Sequence, residues 1–418
     1  MTVIDHAANP PVAGSLVAGI DTHKHTHHVS VLDHLGRSIV DRQFATTSTG
    51  YAQLVEFLQH HGPIDRVGVE GTGSYGAGVA RVLSAAGFSV VEVIRQNRQA
   101  RRLRGKSDPI DARNAALSVL AGTETAAPKS SDGQVESVRI LMGERRSAVK
   151  AKTQAINQIH ALLVTAPDTV RTAYRALGGD KLVIALARSR PGTSGDDPAQ
   201  IARQTLKRLA MRCLTMQEEI ITIDGQLEAL VRSVNPRLLS LNGAGPVTAA
   251  TLLAAAGDNP ERLASKAAFA ALTGVAPIPA SSGQRVRHRL SRGGNRHANS
   301  ALHRIVLLRM RHREPRTMAY FARRRAEGLT DRDIMRCLKR HIANEVYAAL
   351  LDPATEDPTG RQVRTARQQL GIPISVLATS LEVPYQRLRR LEIGTRADPE
   401  LEQRAIALLA RIDRQSAA

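Results

Sequence analysis

Apolar residues fall in short blocks over the first quarter of the chain and in long helical stripes after it. Residues 16–21 form an apolar run that closes on Asp21 and read as a buried strand. Residues 27–33 and 37–44 alternate well enough for two more strands, joined by a tight turn at His34-Leu-Gly36. A helix is predicted over 49–60, with Tyr51, Leu54, Val55 and Leu58 on one face. Residues 66–70 make a fourth strand, again closing on a carboxylate, Glu70. A Gly/Ala-rich helix then runs to about Gly87, and 88–94 is a fifth strand. Three strands in meander followed by two strand–helix units predict an α/β domain with a mixed sheet over 16–125.

Beyond it the period is helical. Val138, Leu141, Met142, Val149, Ile156, Ile159 and Leu162 are the apolar positions of a helix over 135–166, and another spans 199–231 with Gly225 interrupting its regularity. The interval 132–234 reads either as a helical, coiled-coil-like arm or as two ordinary helices packed on the domain. Within it, 167–198 shows no usable period. A mostly helical domain is expected over 235–351, with helices at 299–313 and 331–351. A linker rich in Pro and acids covers 352–360, and a small all-helical domain covers 361–415.

Charge narrows the function. The 418 residues hold 58 Lys+Arg against 38 Asp+Glu, a net charge of +20. Such an excess calls for a polyanion, nucleic acid first. Aromatics are 3% with no Trp, which excludes single-strand binding built on base stacking and favours duplex or structured nucleic acid held by its phosphates. Cys213 and Cys337 match no zinc or redox spacing, so a reducing cytoplasm is expected. Residues 1–15 read as a disordered leader without signal-peptide character, and no apolar run approaches the ~18 residues of a membrane helix.

The densest chemistry lies at Arg101-Arg-Leu-Arg-Gly-Lys-Ser-Asp108-Pro-Ile-Asp111. Pro109 suits the first turn of a helix, and spacing of three puts Asp108 and Asp111 on one face, with Cβ atoms about 5–6 Å apart. Carboxylates that close repel unless a cation or a shared proton intervenes. Arg95, Arg98, Arg101, Arg102, Arg104 and Lys106 would bring a polyanion to them. Two neighbouring patterns point elsewhere. Gly71-Thr-Gly73-Ser-Tyr-Gly76 with Glu92 matches a dinucleotide fingerprint, yet it follows a fourth strand, not the first. Its glycines read better as allowing close backbone approach to Glu70, or as merely ending a strand. His23-Lys-His25-Thr-His27-His28 could bind a transition metal, but strand alternation divides these histidines between two faces, so they are expected to be solvated or to face phosphate.

Asp21, Glu70, Asp108 and Asp111, carried by Gly19-Ile-Asp21-Thr-His-Lys24, Val69-Glu70-Gly-Thr-Gly73 and Lys106-Ser-Asp108-Pro-Ile-Asp111-Ala112, resemble the RNase H-like fold of RuvC-type resolvases. More narrowly they resemble the DEDD insertion-sequence transposases, the bridge-RNA-guided recombinases. Several members of that family have an acid where His25 stands. The resemblance implies two Mg²⁺ ions on the four carboxylates, with Lys24 beside them on nucleic acid. It also implies double-stranded donor and target DNA, a structured guide RNA and a homodimer or homotetramer in a prokaryotic cytoplasm.

Three further stretches carry resemblances. Leu241-Asn-Gly243-Ala-Gly245-Pro is similar to a helix-hairpin-helix turn that would hold a phosphate, with a plain helical connection as the alternative. Ser281-Ser282-Gly283 and the cations Arg285, Arg287, Arg289, Arg292 and Arg296 resemble the family's C-terminal transposase domain. There, a serine becomes joined to the cut DNA end; Ser282 matches it, with Ser281 adjacent. The tail, with Leu391-Glu392-Ile-Gly394, resembles a repressor-type helix-turn-helix appended to the family plan. Tyr385, Gln386, Arg387, Arg389 and Arg390 would face the groove, a small protein-binding domain being the alternative. The expected activity is DNA recombination through a covalent phosphoserine. Its rivals are a hydrolytic junction resolvase and a non-catalytic DNA-binding regulator.

Overall fold

The computed structural model describes residues 14–93, 107–124, 126–192, 195–280, 288–291, 293–353, 360–392 and 398–416. It divides into two units: Met1–Gly133 with Ala256–Ser265, and Gln134–Ala255 with Lys266–Ala418.

In the first unit, strand parity decides which residues meet which helix. Strands β1 (Leu16–Thr22), β2 (Thr26–Leu32), β3 (Ser38–Ala45), β4 (Ile64–Glu70) and β5 (Val90–Val93) form one sheet in the order β3-β2-β1-β4-β5. The meander β1-β2-β3 is antiparallel, and β1, β4 and β5 run parallel. Ala18, Ile20, Val67 and Val69 join Leu54, Leu58, Val79 and Leu83 in a core beneath helices α1 (Ser48–His60) and α2 (Ala77–Ala85). Residues of opposite parity face α3 (Asp108–Leu120), where Val91 and Val93 pack on Ala115 and Val119. Both faces of β1 are therefore covered, which is why its sequence is continuously apolar.

A pair of glycines sets how close α3 comes. Gly19 and Gly68 are register partners on adjacent strands. A Cβ on Gly19 would lie 2.2 Å from both Ala112 O and Ala116 N, and one on Gly68 would lie 2.6 Å from Val119 Cγ2. The helix sits directly on a flat strip of backbone. The same unit takes in Ala256–Ser265. Asn259 Nδ2 donates to Pro128 O at 3.0 Å, Ser130 N donates to Asn259 Oδ1 at 3.2 Å, and Arg262 donates to Ala127 O at 3.1 Å. Nothing in the sequence pattern indicates that this strip of the 235–351 segment packs with the N-terminal sheet unit.

The second unit is almost wholly helical. It begins with α4 (Gln134–Thr165), α5 (Asp168–Tyr174), α6 (Gly179–Arg188) and α7 (Pro198–Val234). Helices α4 and α7 run antiparallel along their length, tied by Arg145 to Asp224, Lys152 to Gln217 and Ser233 to Gln134. The helices thus pack on each other, and Gly225 leaves α7 unbroken. Of the predicted stripe, Val138, Met142 and Ile159 are buried while Val149 is 38% exposed. Ala148 and Ala155 take the contact positions instead, since small side chains let two long helices approach. The interval without a usable period holds α5 and α6, whose Val170, Leu182 and Leu186 cluster with Leu206 and Ala210.

Then follow α8 (Pro236–Ser240), α9 (Pro246–Ala256), α10 (Lys266–Leu272), strands β6 (Pro277–Pro279) and β7 (His288–Leu290), α11 (Arg296–Arg311), α12 (Pro315–Ala326) and α13 (Asp331–Leu351). The antiparallel β6–β7 pair and α12 go beyond the sequence expectation. Helix α11 starts earlier than its apolar period because Asn295 caps it, accepting from His297 N and Ala298 N. The tail folds as α14 (Arg361–Gln369), α15 (Ile374–Ser380), α16 (Tyr385–Glu392) and α17 (Pro399–Ser416) around Val363, Leu377, Leu388, Leu391 and Leu401. No helix among the described residues is long and apolar enough to cross a membrane.

Candidate active site

The same parity that buries Ile20 and Val69 turns their chain neighbours Asp21 and Glu70 to the α3 side of the sheet. Ile20 and Val69 are register partners, so the two carboxylates leave adjacent parallel strands side by side, at the carboxyl ends. Both are buried, at 5% and 8% exposure. Against this edge comes the start of α3, where Ser107 is extended, Pro109 occupies the first turn, and Asp108 and Asp111 face the positive end of the helix dipole. Asp111 is buried, and the Asp108 side chain is 42% exposed.

Burial pushes the Asp21 carboxyl above its usual range. His23 pulls it down, while the charges of Asp111 and Asp108 push it further up. The imidazole lies between two carboxylates: Nε2 is 3.2 Å from Asp21 Oδ2 and 3.2 Å from Asp108 Oδ1. These three donor atoms lie within 4.8 Å of one another. Asp21 Oδ2 is buried without a hydrogen bond of its own. Oxygen donors crowded at a buried strand end, with acid repulsion left over, fit a divalent cation such as Mg²⁺.

The backbone around Glu70 explains the glycine pattern. Gly71 has φ +61°, and Thr22 Oγ1 donates to Glu70 O at 3.0 Å. A Cβ on Gly76 would lie 2.4 Å from that same carbonyl. Glu92 accepts from Thr72 Oγ1 at 2.8 Å, so it steadies this loop rather than waiting for a ribose. Among the histidines, His27 corrects the expectation of solvated rings, for it is fully buried and stacks on Tyr51 with centroids 5.7 Å apart. His28 pairs with Asp41 at 2.8 Å. His23 at the carboxylates was the residue missed. Its only signal was its place two residues after a strand-end acid, where alternation stops and the chain turns.

Of the expected nucleic-acid contacts, Lys24 is exposed in the β1–β2 turn. Arg95, Arg98, Arg101, Arg102, Arg104 and Lys106 lie outside the described residues, as do Ser281, Ser282, Arg285, Arg287 and Arg292. Arg289 and Arg296 are exposed. Gly243, at φ +82°, packs its backbone against α11, where a Cβ would meet Ile305 O at 3.2 Å, whereas Gly245 faces open space. Gln386, Arg387, Arg389 and Arg390 are all exposed on α16, but Arg387 Nε donates to Asp398 Oδ2 at 2.8 Å.

Beside the expected Arg289, the second unit adds cations that the sequence reading passed over. A cavity of about 380 Å³ beside β6 and β7 is lined by Arg289, Arg336, Lys339, Arg340 and His341. Burial, with Arg336 adding to it, pushes the Lys339 amine below its usual range. Its Nζ donates to Asn299 Oδ1 at 3.0 Å, and Asn299 is fixed in turn by the carbonyls of Thr273 and Gly274. Spacings of three and four on one helix face were the available signal.

A transposase model for the DEDD proteins of IS110 matches residues 18–166, and one described as "Transposase IS116/IS110/IS902 family" matches 235–322. A 42 kDa protein of insertion element IS900 from Mycobacterium paratuberculosis is 24% identical over 394 residues, covering 82% of this chain and 97% of its own. A mini-circle protein for IS117 from Streptomyces coelicolor, named as a transposase, is 24% identical over 400 residues, covering 80% and 93%. A 43.6 kDa protein of IS110 from the same organism is 31% identical over 147 residues, 34% of this chain and 36% of its own. The mixed sheet of the first matched stretch and the helical character of the second agree with that likeness, and the chain belongs to the IS116/IS110/IS902 family of transposases.

Proposed function

We propose that this transposase cuts and rejoins double-stranded DNA with Asp21, Glu70, Asp108 and Asp111 as one cation-binding set and Ser282 as the nucleophile. The observation that carries the reading is the convergence of the two strand-end acids with the acidic first turn of α3. Mg²⁺ bound there would neutralise charge on a phosphodiester and polarise it toward attack. Buried Asp21, Glu70 and Asp111 supply fixed oxygens, and Asp108 is the member open to solvent and to incoming DNA.

A covalent serine–phosphate intermediate would keep the energy of the phosphodiester bond between cutting and rejoining. The Ser282 Oγ–phosphorus bond forms as the bond to the leaving sugar oxygen breaks, with net transfer of the serine proton to that oxygen, and a second sugar hydroxyl later reverses the step. Arg285, Arg287, Arg289, Arg292 and Arg296 would hold phosphates around that hydroxyl. The cavity cations Arg336, Lys339 and Arg340, which line one cavity with Arg289, would add to that hold. A structured RNA from the element itself and a dimeric or tetrameric assembly belong to this reading. So does a helix-turn-helix built from α14 to α16, gripping duplex through Gln386, Arg389 and Arg390. Arg387, exposed beside them, is also tied through Nε to Asp398.

Asp108→Asn keeps the helix start polar and removes one charge. It is expected to abolish cleavage of supercoiled DNA carrying the element ends while leaving the thermal melt within a few degrees. Unchanged cleavage would refute the acidic set.

A further inference from the structure

The proposed chemistry gives His23 no part, yet its ring nitrogen lies 3.2 Å from a carboxylate oxygen of both Asp21 and Asp108. The β1–β2 turn fixes where the ring starts, for His23 N donates to Thr26 O at 3.0 Å and Thr22 Oγ1 holds Glu70 O. For donors at right angles on one ion, bonds of about 2.1 Å put neighbouring donor atoms roughly 3.0 Å apart. The two separations of 3.2 Å, a hydrogen-bond distance at Asp108 Oδ1, are also close to those of neighbours in one coordination sphere. A buried carboxylate oxygen without a hydrogen bond, Asp21 Oδ2, points into the same space.

We propose that His23 is a nitrogen ligand to the divalent cation held by Asp21 and Asp108, and that it tilts this site from Mg²⁺ toward Mn²⁺. The inference rests on the reading that these carboxylates bind a cation. Mg²⁺ is a hard ion that takes oxygen donors and keeps its waters. Imidazole favours transition-metal dications over it, and Mn²⁺ is the one that also accepts a sphere made mainly of carboxylates. One nitrogen among several oxygens is the donor set for that preference.

The test uses the full-length protein and the metal ions alone. Mn²⁺ binding is followed by electron paramagnetic resonance with Mg²⁺ as competitor, and nitrogen coupling to bound Mn²⁺ is read by electron spin echo in ¹⁵N-histidine-labelled protein. His23→Gln leaves a polar side chain able to hydrogen-bond the acids, and His25→Gln, at an exposed neighbour, is the control. Loss of even an outer partner of a metal site costs about 10–100-fold in affinity, so His23→Gln should weaken Mn²⁺ about tenfold or more. It should also lose the nitrogen coupling and leave Mg²⁺ nearly unchanged, with His25→Gln like wild type. Wild-type protein that binds Mn²⁺ with no histidine coupling, or a His23→Gln variant with the same Mn²⁺:Mg²⁺ ratio, overturns the ligand while leaving the carboxylate site intact. Binding of neither ion by wild type, with Asp21→Asn indistinguishable from it, overturns both. The wild-type spectrum decides even if a variant folds poorly.

Discussion

Two missing side chains do as much to form the acidic cluster as the four carboxylates in it. Gly19 and Gly68 sit in register beneath α3, and nothing larger fits between that helix and β1. Gly19→Val would force the first turn of α3, and with it Asp108 and Asp111, away from Asp21. Overpacking of this kind costs about 1–3 kcal/mol, and here the obstruction is backbone, so the upper end is expected. Denaturant melts check the stability loss, and DNA cleavage should fall further than the folded fraction does. At this scale the sequence was partly legible. The spacing of Asp108 and Asp111 and the position of Pro109 are local facts, readable without a fold. His23 was not, because alternation assigns faces only within a strand, and this residue lies past the end of one.

Element boundaries were clearest where a cap and a stripe agree. Helix α13 spans Asp331–Leu351 as expected, because Thr330 caps it and its apolar face is continuous. Helices α5 and α6 escaped notice because each is too short to repeat a pattern. Helix α12 is opened by Glu314, which accepts from Arg316 N and Thr317 N. Burial pushes its carboxyl up, but the Thr317 and Arg316 donors and the charge of Arg309 leave it below the ordinary value of 4.5. A carboxylate depressed in the folded state stabilises above its unfolded pKa. That contribution is lost as pH falls from 4.5 through the lower folded value. Glu314→Gln should therefore cost about 1 kcal/mol at neutral pH, and the difference from wild type should close on acidification in pH-dependent melts. In the tail, Arg367 pairs with both oxygens of Glu392, at 2.7 and 3.0 Å, in an almost fully buried bridge. Glu392 of the Leu-Glu-x-Gly stretch thus has a structural duty. Arg367→Ala strands that carboxylate and should cost the tail about 3–5 kcal/mol, measured by calorimetry or local hydrogen exchange.

Over the whole molecule, the candidate site gathers residues as far apart in sequence as Asp21 and Asp111 through sheet order and one helix. No local pattern states that closure; the family resemblance supplied it. The helical stripes likewise foretold α4 and α7 without showing which face each would bury, because alanines carry the contact. Least legible was the strip Ala256–Ser265, whose polar anchors Asn259 and Arg262 reach carbonyls of residues 127 and 128. Hydrogen bonds to backbone leave no periodic trace in a sequence. The positive charge, by contrast, was readable from composition and agrees with a DNA-processing family.

An acidic cluster working with a serine nucleophile leaves DNA joined to protein part-way through the reaction, and that intermediate can be trapped. Full-length protein, supercoiled DNA bearing the element ends, RNA transcribed from the flanking DNA and Mg²⁺ would be mixed and denatured. DNA-linked peptides would then be mapped by mass spectrometry. DNA joined to Ser282 is the expected result, with the adduct absent in Ser282→Ala and in Asp108→Asn and retained in Ser281→Ala. Cleavage with no linked peptide, or an adduct that survives Ser282→Ala, would contradict it.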